Sequence, residues 1–392
     1  MTRWGCTAGL SLTAALSVGQ WNWEQLPDFP GTARDDAASF TLNQGITYIG
    51  TGMEVGWGLT NDWWRSDGWQ WQQVASLPAS PRQYCAAVDV NDQGYLFGGI
   101  DGGGALNELW RYDQTSDTWT QMPSLPSEGR YAAVAMNLDG DLLIAYGLLG
   151  SGSPTREAWL FRTQTNTWQQ LDNAPAPARH RAASDAISRT IYGGMDADGN
   201  VLDDVWSVDY FNGSIQWSAL PAMPAPRFGA KAAFGVVVGG GSSWGEIHDN
   251  VWRFNGQNWS VLDPFPGGAR RGGVVGTRCC LGGFIHFGLG LDGTMTRRQD
   301  WWTMQVFNNV DEQDQQLLQL WPNPVSNEFR LKWPHGAPVA PYSLHDATGR
   351  TVSSGIASNG GPIDASRLPS GLYALTLQLN DGDAHVKFIK LP

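Results

Sequence analysis

The stretch NELWRYDQTSDTW, Asn107–Trp119, sets a tryptophan behind an acidic residue, then a turn-rich patch, then a second tryptophan. The layout returns as DDVWSVDYFNGSIQW at 203–217 and as DNVWRFNGQNW at 249–259. Each copy reads as two short strands about a tight turn. The trailing tryptophans stand at 71, 119, 168, 217 and 259, in steps of 48, 49, 49 and 42, and Trp23 precedes the first by 48. Each is followed by a Pro-rich loop ending in arginine: LPDFPGTAR, LPASPR, LPSEGR, APAPAR, MPAPR and FPGGAR. These arginines are Arg34, Arg82, Arg130, Arg179, Arg227 and Arg270, spaced 48, 48, 49, 48 and 43 apart. An Ala-rich strand comes next, then an apolar strand ending in glycine (YLFGGI, IYGGM, VVVGGG), a loop, and the tryptophan strand. A unit of about 50 residues thus holds four short strands.

This pattern resembles the kelch family, over six repeats from Trp21 to about Phe307. The resemblance rests on the double glycines Gly98-Gly99, Gly193-Gly194 and Gly239-Gly240, on the Trp110/Trp119 spacing, and on the Pro-Arg loops. Repeats 1, 3 and 6 depart from it, with GTG, YGL and FGL where the family has two glycines. It implies an all-β fold, a six-bladed kelch-type β-propeller over residues 20–307. The tryptophans are expected to fill the wedges between blades. Repeat 6 reaches its third strand at DWWTMQV, 300–306, and then turns polar. Residues 20–26, QWNWEQL, have the sequence of a fourth strand with no blade before it. Pairing the two would close the ring and remove a sheet edge.

From Asn308 the composition changes: residues 308–319 are a polar, acidic linker. Beyond it, apolar-polar alternation between NG, DG and SG turns indicates a small antiparallel β-sandwich. Residues 320–392 resemble the type A C-terminal sorting domain of the type IX secretion system of Bacteroidota. The motif residues are Pro322, Asn323 and Pro324 at the first strand, Gly349 in the middle hairpin, and Gly371 and Tyr373 before the last hairpin. The resemblance implies type IX secretion machinery as a partner, and a secreted or outer-membrane-surface protein.

Gly 49, Pro 22 and Trp 21 with 16% charged residues suit many short strands and tight turns rather than helices. A net charge of -12 excludes nucleic acid as a partner, since phosphates require a basic surface. Residues 1–19 read as a signal peptide: Arg3 gives the charge, Trp4–Val18 the apolar stretch, and Ser17-Val18-Gly19 the cleavage site. No other segment reaches the roughly 18 apolar residues of a membrane helix. Of four cysteines, Cys6 would leave with the signal, Cys85 lies in a strand, and Cys279-Cys280 are adjacent, a spacing suited to buried hydrophobes or a strained vicinal disulfide.

The loop entering strand one and the loop joining strands two and three open on one face of a propeller. That face gathers the six repeat arginines together with Trp57 and Trp244, each before a glycine in the second type of loop. Aromatic plates beside hydrogen-bonding side chains suit sugar rings or an extended peptide. The arginines also admit a structural reading, pairing with backbone or carboxylates in every blade. The sequence therefore suggests a non-catalytic binding module for glycan or protein, with no catalytic residue, cofactor or metal. Kelch propellers also include galactose-oxidase-like copper enzymes and sialic acid mutarotases. Copper needs converging histidines, and His180, His248 and His286 occupy unlike repeat positions. Mutarotation needs an acid and a base, for which Asp35, Arg34 and His180 are available. Asp196–Asn200, DADGN, reads as a hairpin turn or a calcium loop.

Overall fold

Alternate residues of each strand pack to opposite sides, and each side of a blade meets another blade. In blade 2, Ala86, Val88 and Val90 pack with Ala135, Leu142 and Ile144, while Ala87 and Leu96 pack with Phe40 and Tyr48. Both faces being covered, the second strands are mostly apolar, as in Leu142–Ala145 and Val236–Val238. This computed structural model describes residues 22–43, 45–211, 213–278, 283–306, 318–321, 325–333, 338–346, 350–379 and 382–391, and contains no helix among them. The expected signal peptide 1–19, Gln20 and Trp21 of the closing segment, Cys6, Cys279, Cys280, linker residues 308–317, Pro322, Asn323, Pro324 and Gly349 lie outside the described residues. Two compact units divide after Val306.

The first unit holds six four-stranded antiparallel sheets. In blade 2 they run Ala86–Val90, Gln93–Phe97, Leu109–Asp113 and Thr118–Met122 from inside to outside. The sixth sheet comprises Val274–Arg278, Phe284–Gly288 and Trp301–Gln305, with Trp23–Leu26 as its outer strand. Trp23 stands opposite Met304 and Leu26 opposite Trp301. Apolar cores lie between blades, the last joining Leu26, Ile49, Val274 and Trp301 across the junction of blades 6 and 1.

Two rings of backbone hydrogen bonds run through all six blades. The residue two places after each repeat arginine donates its N–H to its counterpart in the preceding blade: Tyr84 to Asp36, Ala132 to Tyr84, Arg181 to Ala132, Gly229 to Arg181, Gly272 to Gly229 and Asp36 to Gly272, at 2.7–3.0 Å. All six have φ between 51° and 62°. In the second ring, Gly52, Gly99, Gly147, Gly194, Gly240 and Gly290 each donate to the carbonyl of the following blade's repeat arginine, Gly290 to Arg34 completing the circle.

This second ring explains why three repeats lack a double glycine. The residue before each donor also has positive φ, and the positions of Gly98, Gly193 and Gly239 are filled by Thr51 (58°), Tyr146 (59°) and Leu289 (55°). That conformation is open to ordinary residues at some cost, whereas the donors sit at 87° to 107°, which favours glycine. Only the second glycine of the pair is obligatory.

The second unit is a sandwich of a three-stranded sheet (Gln319–Trp321, Glu328–Lys332, Pro362–Asp364) and a four-stranded one (Thr351–Ser358, Val339–Asp346, Gly371–Leu379, Gly382–Lys390). All strand pairs are antiparallel, with one parallel bridge between Val325 and Lys390. Phe329, Leu331, Trp333, Leu344 and Phe388 fill its core. Gly371 opens a strand, and Tyr373 is buried against Phe388, its hydroxyl donating to the Pro369 carbonyl at 2.8 Å.

Candidate functional site

The six repeat arginines are not free to meet a ligand, which corrects the expectation that they form the binding face. Their exposure is 0–4%. Arg34 pairs with Asp62 at 2.6 Å, Arg82 with Glu108 at 2.8 Å, Arg179 with Asp204 at 2.6 Å, Arg270 with Asp300 at 2.6 Å, and Arg130 with Glu157. Each acid also accepts the indole N–H of the tryptophan two residues on: Trp64, Trp110, Trp206, Trp302 and Trp159. Blade 5 differs, Arg227 donating to the neutral Asn250 at 2.8 Å. The outer tryptophans stitch blades in turn: Trp71, Trp119, Trp168 and Trp259 donate to carbonyls of Pro27, Ala75, Pro123 and Pro221 in the preceding blade.

Residues two and three places after the repeat arginines line the centre of the ring instead. Within the inner ring, Asp36, Tyr84, Arg181 and Lys231 surround a cavity of about 60 Å³, room for a water or two but not for a sugar ring. A ligand must therefore sit above the ring. There Trp57 is 75% and Trp244 52% exposed, so the structure does place both expected tryptophans in reach of solvent. The Arg297 guanidinium lies 4.9 Å from the centre of the Trp57 ring, and its Nε meets Asp35 at 2.6 Å. Trp244 has Arg181 at 5.0 Å and Arg271 at 5.3 Å, and stands edge-on to Phe228. A larger cavity of about 380 Å³, lined in part by Asp28, Arg297, Arg298 and Asp300, opens at the junction of blades 6 and 1.

Burial, then the neighbouring Asp36, pushes the Asp35 carboxyl up to about 6 against the opposing pull of Arg297. Burial, then the charge of Arg181, pushes His180 down to about 4. Its Nδ1 lies 2.7 Å from Arg181 Nη1, which can only donate, so the neutral ring carries its proton on Nε2. Burial, then Asp36, raises Tyr84 and keeps its hydroxyl neutral. Among the described residues no group of His, Cys, Asp and Glu is arranged to hold a metal ion. Asp196 spends its oxygens on the amides of Asp198 and Asn200 and on the Asn200 side chain, as a hairpin turn does.

A KLHDC2/KLHL20/DRC7 kelch-repeats domain model matches residues 13–192, and a secretion system C-terminal sorting domain model matches residues 319–391. The chain carries kelch repeats and a type IX sorting domain. The solved structure of YjhT, 16% identical, superposes on 70% of this chain and 95% of its own with a TM-score of 0.60, which shows a kelch-type propeller fold. N-acetylneuraminate epimerase of Yersinia pestis (strain Pestoides F) is 28% identical over 151 residues, and that of Yersinia enterocolitica (strain NCTC 13174 / 8081) 24% over 151 residues. In both cases the match covers 36% of this chain and 37% of the relative. The sorting domain indicates export by type IX secretion to the cell surface or beyond. No helix among the described residues is long and apolar enough to cross a membrane.

Sequence reading of the kelch propeller missed Arg181, Arg271, Arg297 and Asp36. The repeats contained a usable signal: after the constant arginine the next two residues read Asp-Asp, Gln-Tyr, Tyr-Ala, His-Arg, Phe-Gly and Arg-Gly. Variation directly beside an invariant position marks the turn that the fold leaves free.

Proposed function

We propose that this secreted kelch protein is a non-catalytic binding module that takes a glycan or protein ligand across the mouth of the propeller. The observation that supports this reading is the pairing of two exposed tryptophans, Trp57 and Trp244, with stacked guanidinium groups on one face. An indole backed by a cation is a firm plate for a sugar ring or a peptide side chain, and the adjacent N–H groups fix its orientation. The decisive experiment is a glycan-array and peptide-library screen of the intact chain. Ligands found on it should bind at least 10-fold more weakly to Trp57→Ala and Trp244→Ala, consistent with a lost aromatic contact of about 1.5 kcal/mol. Binding indifferent to both changes refutes the reading.

Sugar-anomer exchange at the same mouth is the second reading, and Asp35 favours it. A buried carboxyl near 6 can both give and take a proton close to neutral pH. The matched relatives are named as N-acetylneuraminate epimerases, but each aligns over about a third of its length. Anomer exchange followed by NMR, abolished in Asp35→Asn, would favour this reading over simple binding.

A further inference from the structure

We propose that the axial cavity inside the inner ring holds one small monovalent anion, a halide, with Lys231 as its main contact. The site is separate from the surface above the ring, and the inference does not depend on that surface binding a ligand. A break in the repeat carries it. The fourth residue after each repeat arginine stands on the innermost strand, and in five blades it is a small apolar residue of an inter-blade core: Ala38, Ala86, Val134, Ala183 and Val274. Blade 5 has Lys231 there, at the start of its strand Lys231–Ala233. This lysine lines the cavity with Asp36, Tyr84, Arg181 and Gly272. Among the described residues its amine has no hydrogen-bond partner and no carboxylate within ion-pair distance. Burial pushes the amine below the ordinary lysine range, and the charge of Asp36 opposes this only in part.

Charge on the cavity wall fixes the sign and valence of the occupant. Lys231 and Arg181 are its cations and Asp36 is its acid. Arg181 directs Nη1 to neutral His180, and among the described residues no acid stands within ion-pair distance of it. Tyr84 keeps its hydroxyl proton, and burial pushes the Cys85 thiol up to about 12, so both are neutral. Two cations less one acid leave +1 in an enclosure shielded from bulk water, where an unmatched charge is costly. One monovalent anion restores the balance and favours the protonated amine beside it. Size narrows the choice. About 60 Å³ admits a water or two, and a halide takes the place of about one water, whereas acetate must seat a methyl and a carboxylate together. Gly272 contributes part of this room, because a Cβ there would overlap Asp36 Oδ1.

Chloride-35 NMR on the full chain, exchanged into sodium gluconate and titrated with sodium chloride at fixed ionic strength, reads the site. Chloride visiting the cavity broadens its line. Bromide should reverse the broadening and acetate at the same concentration should not. Lys231→Val restores the residue that blades 3 and 6 carry, so it should fold, and it should bind chloride at least about 10-fold more weakly, as loss of a charge-assisted contact does. Lys231→Gln, closer in length, makes the same comparison if the valine variant melts several degrees below the parent in gluconate. Asp36→Asn removes the one acid and should tighten chloride binding. A dissociation constant of about 10 mM implies that replacing gluconate by about 100 mM chloride raises the parent's melting temperature by about 2 °C, and the Lys231 variants should lack this rise. No excess broadening in the parent, equal broadening in the Lys231 variants, displacement by acetate as effective as by bromide, or weaker binding in Asp36→Asn each overturns the inference. Failure of every glycan and peptide probe at the mouth would leave these outcomes unchanged.

Discussion

Blade 5 tests the role of the arginine-acid pairs, because Asn250 stands where the other blades carry Asp or Glu. Asn250→Asp changes one side-chain amide to a carboxylate at 2.8 Å from an Arg227 that is 4% exposed. A hydrogen bond to a charged group contributes about 1.5–3 kcal/mol against about 0.5–1.5 for a neutral one, so the pair should gain about 1 kcal/mol. Desolvation of the new carboxylate takes back part of that gain, since burial is the first cause acting on Asp62 and Glu157, but Arg34 and Arg130 outweigh it and both carboxyls end below their ordinary values. Glu246, whose charge already reaches Arg227, trims the gain further. For a domain of this size the melting temperature should rise by about 2 °C. Differential scanning calorimetry at neutral pH resolves such a step, and Asp204→Asn should move it the other way. The sign with pH is fixed. In Asp62, burial raises the carboxyl, but the hydrogen bond and charge of Arg34 outweigh it and hold it below its ordinary value. A carboxylate depressed in this way stabilises above its unfolded pKa of about 3.9, and the gain is lost as pH falls through the folded value. An unchanged or lowered melting point at pH 7, or a gain that persists at pH 2, would refute the reasoning.

Two further outcomes are expected. His286 is buried against Trp301 with neither ring nitrogen partnered, and burial, then the charge of Arg278, pushes it down to about 4. The unfolded state then takes the proton first, so stability is full above about 6.5 and falls by about 3 kcal/mol as pH drops to 4; His286→Phe should flatten that limb in urea titrations at each pH, and an unaltered limb counts against the assignment. Deleting residues 1–27 removes the outer strand of the sixth sheet and Leu26 from its core, and should cost more than about 4 kcal/mol; an equally stable propeller by thermal melting would dismiss that strand's closing role.

The repeat made the fold legible because the same contacts recur six times, so each tryptophan and each Pro-Arg loop was seen in several contexts. The site was legible only in part. Trp57 and Trp244 stood out as large residues in loops, and both are exposed. The arginines misled for the reason that made them visible: what recurs in every blade serves the blade, and here it serves a bond to Asp, Glu or, in blade 5, Asn, two residues before a tryptophan. The residues that do line the mouth are irregular by nature. Arg297 in addition owes its place to Asp35, 262 residues before it, a property of packing that no single repeat displays.

Closure between Trp23–Leu26 and Trp301–Gln305 joins strands roughly 280 residues apart, a separation over which loop closure costs entropy before any contact returns it. A chain made from its amino end therefore emerges with its first strand already present and its partner the last to appear. Five sheets can assemble locally while the wheel stays open, and only the arrival of the sixth turns them into a circle without a free edge. Completion of the propeller thus waits for its last strand, Trp301–Gln305, to meet its first.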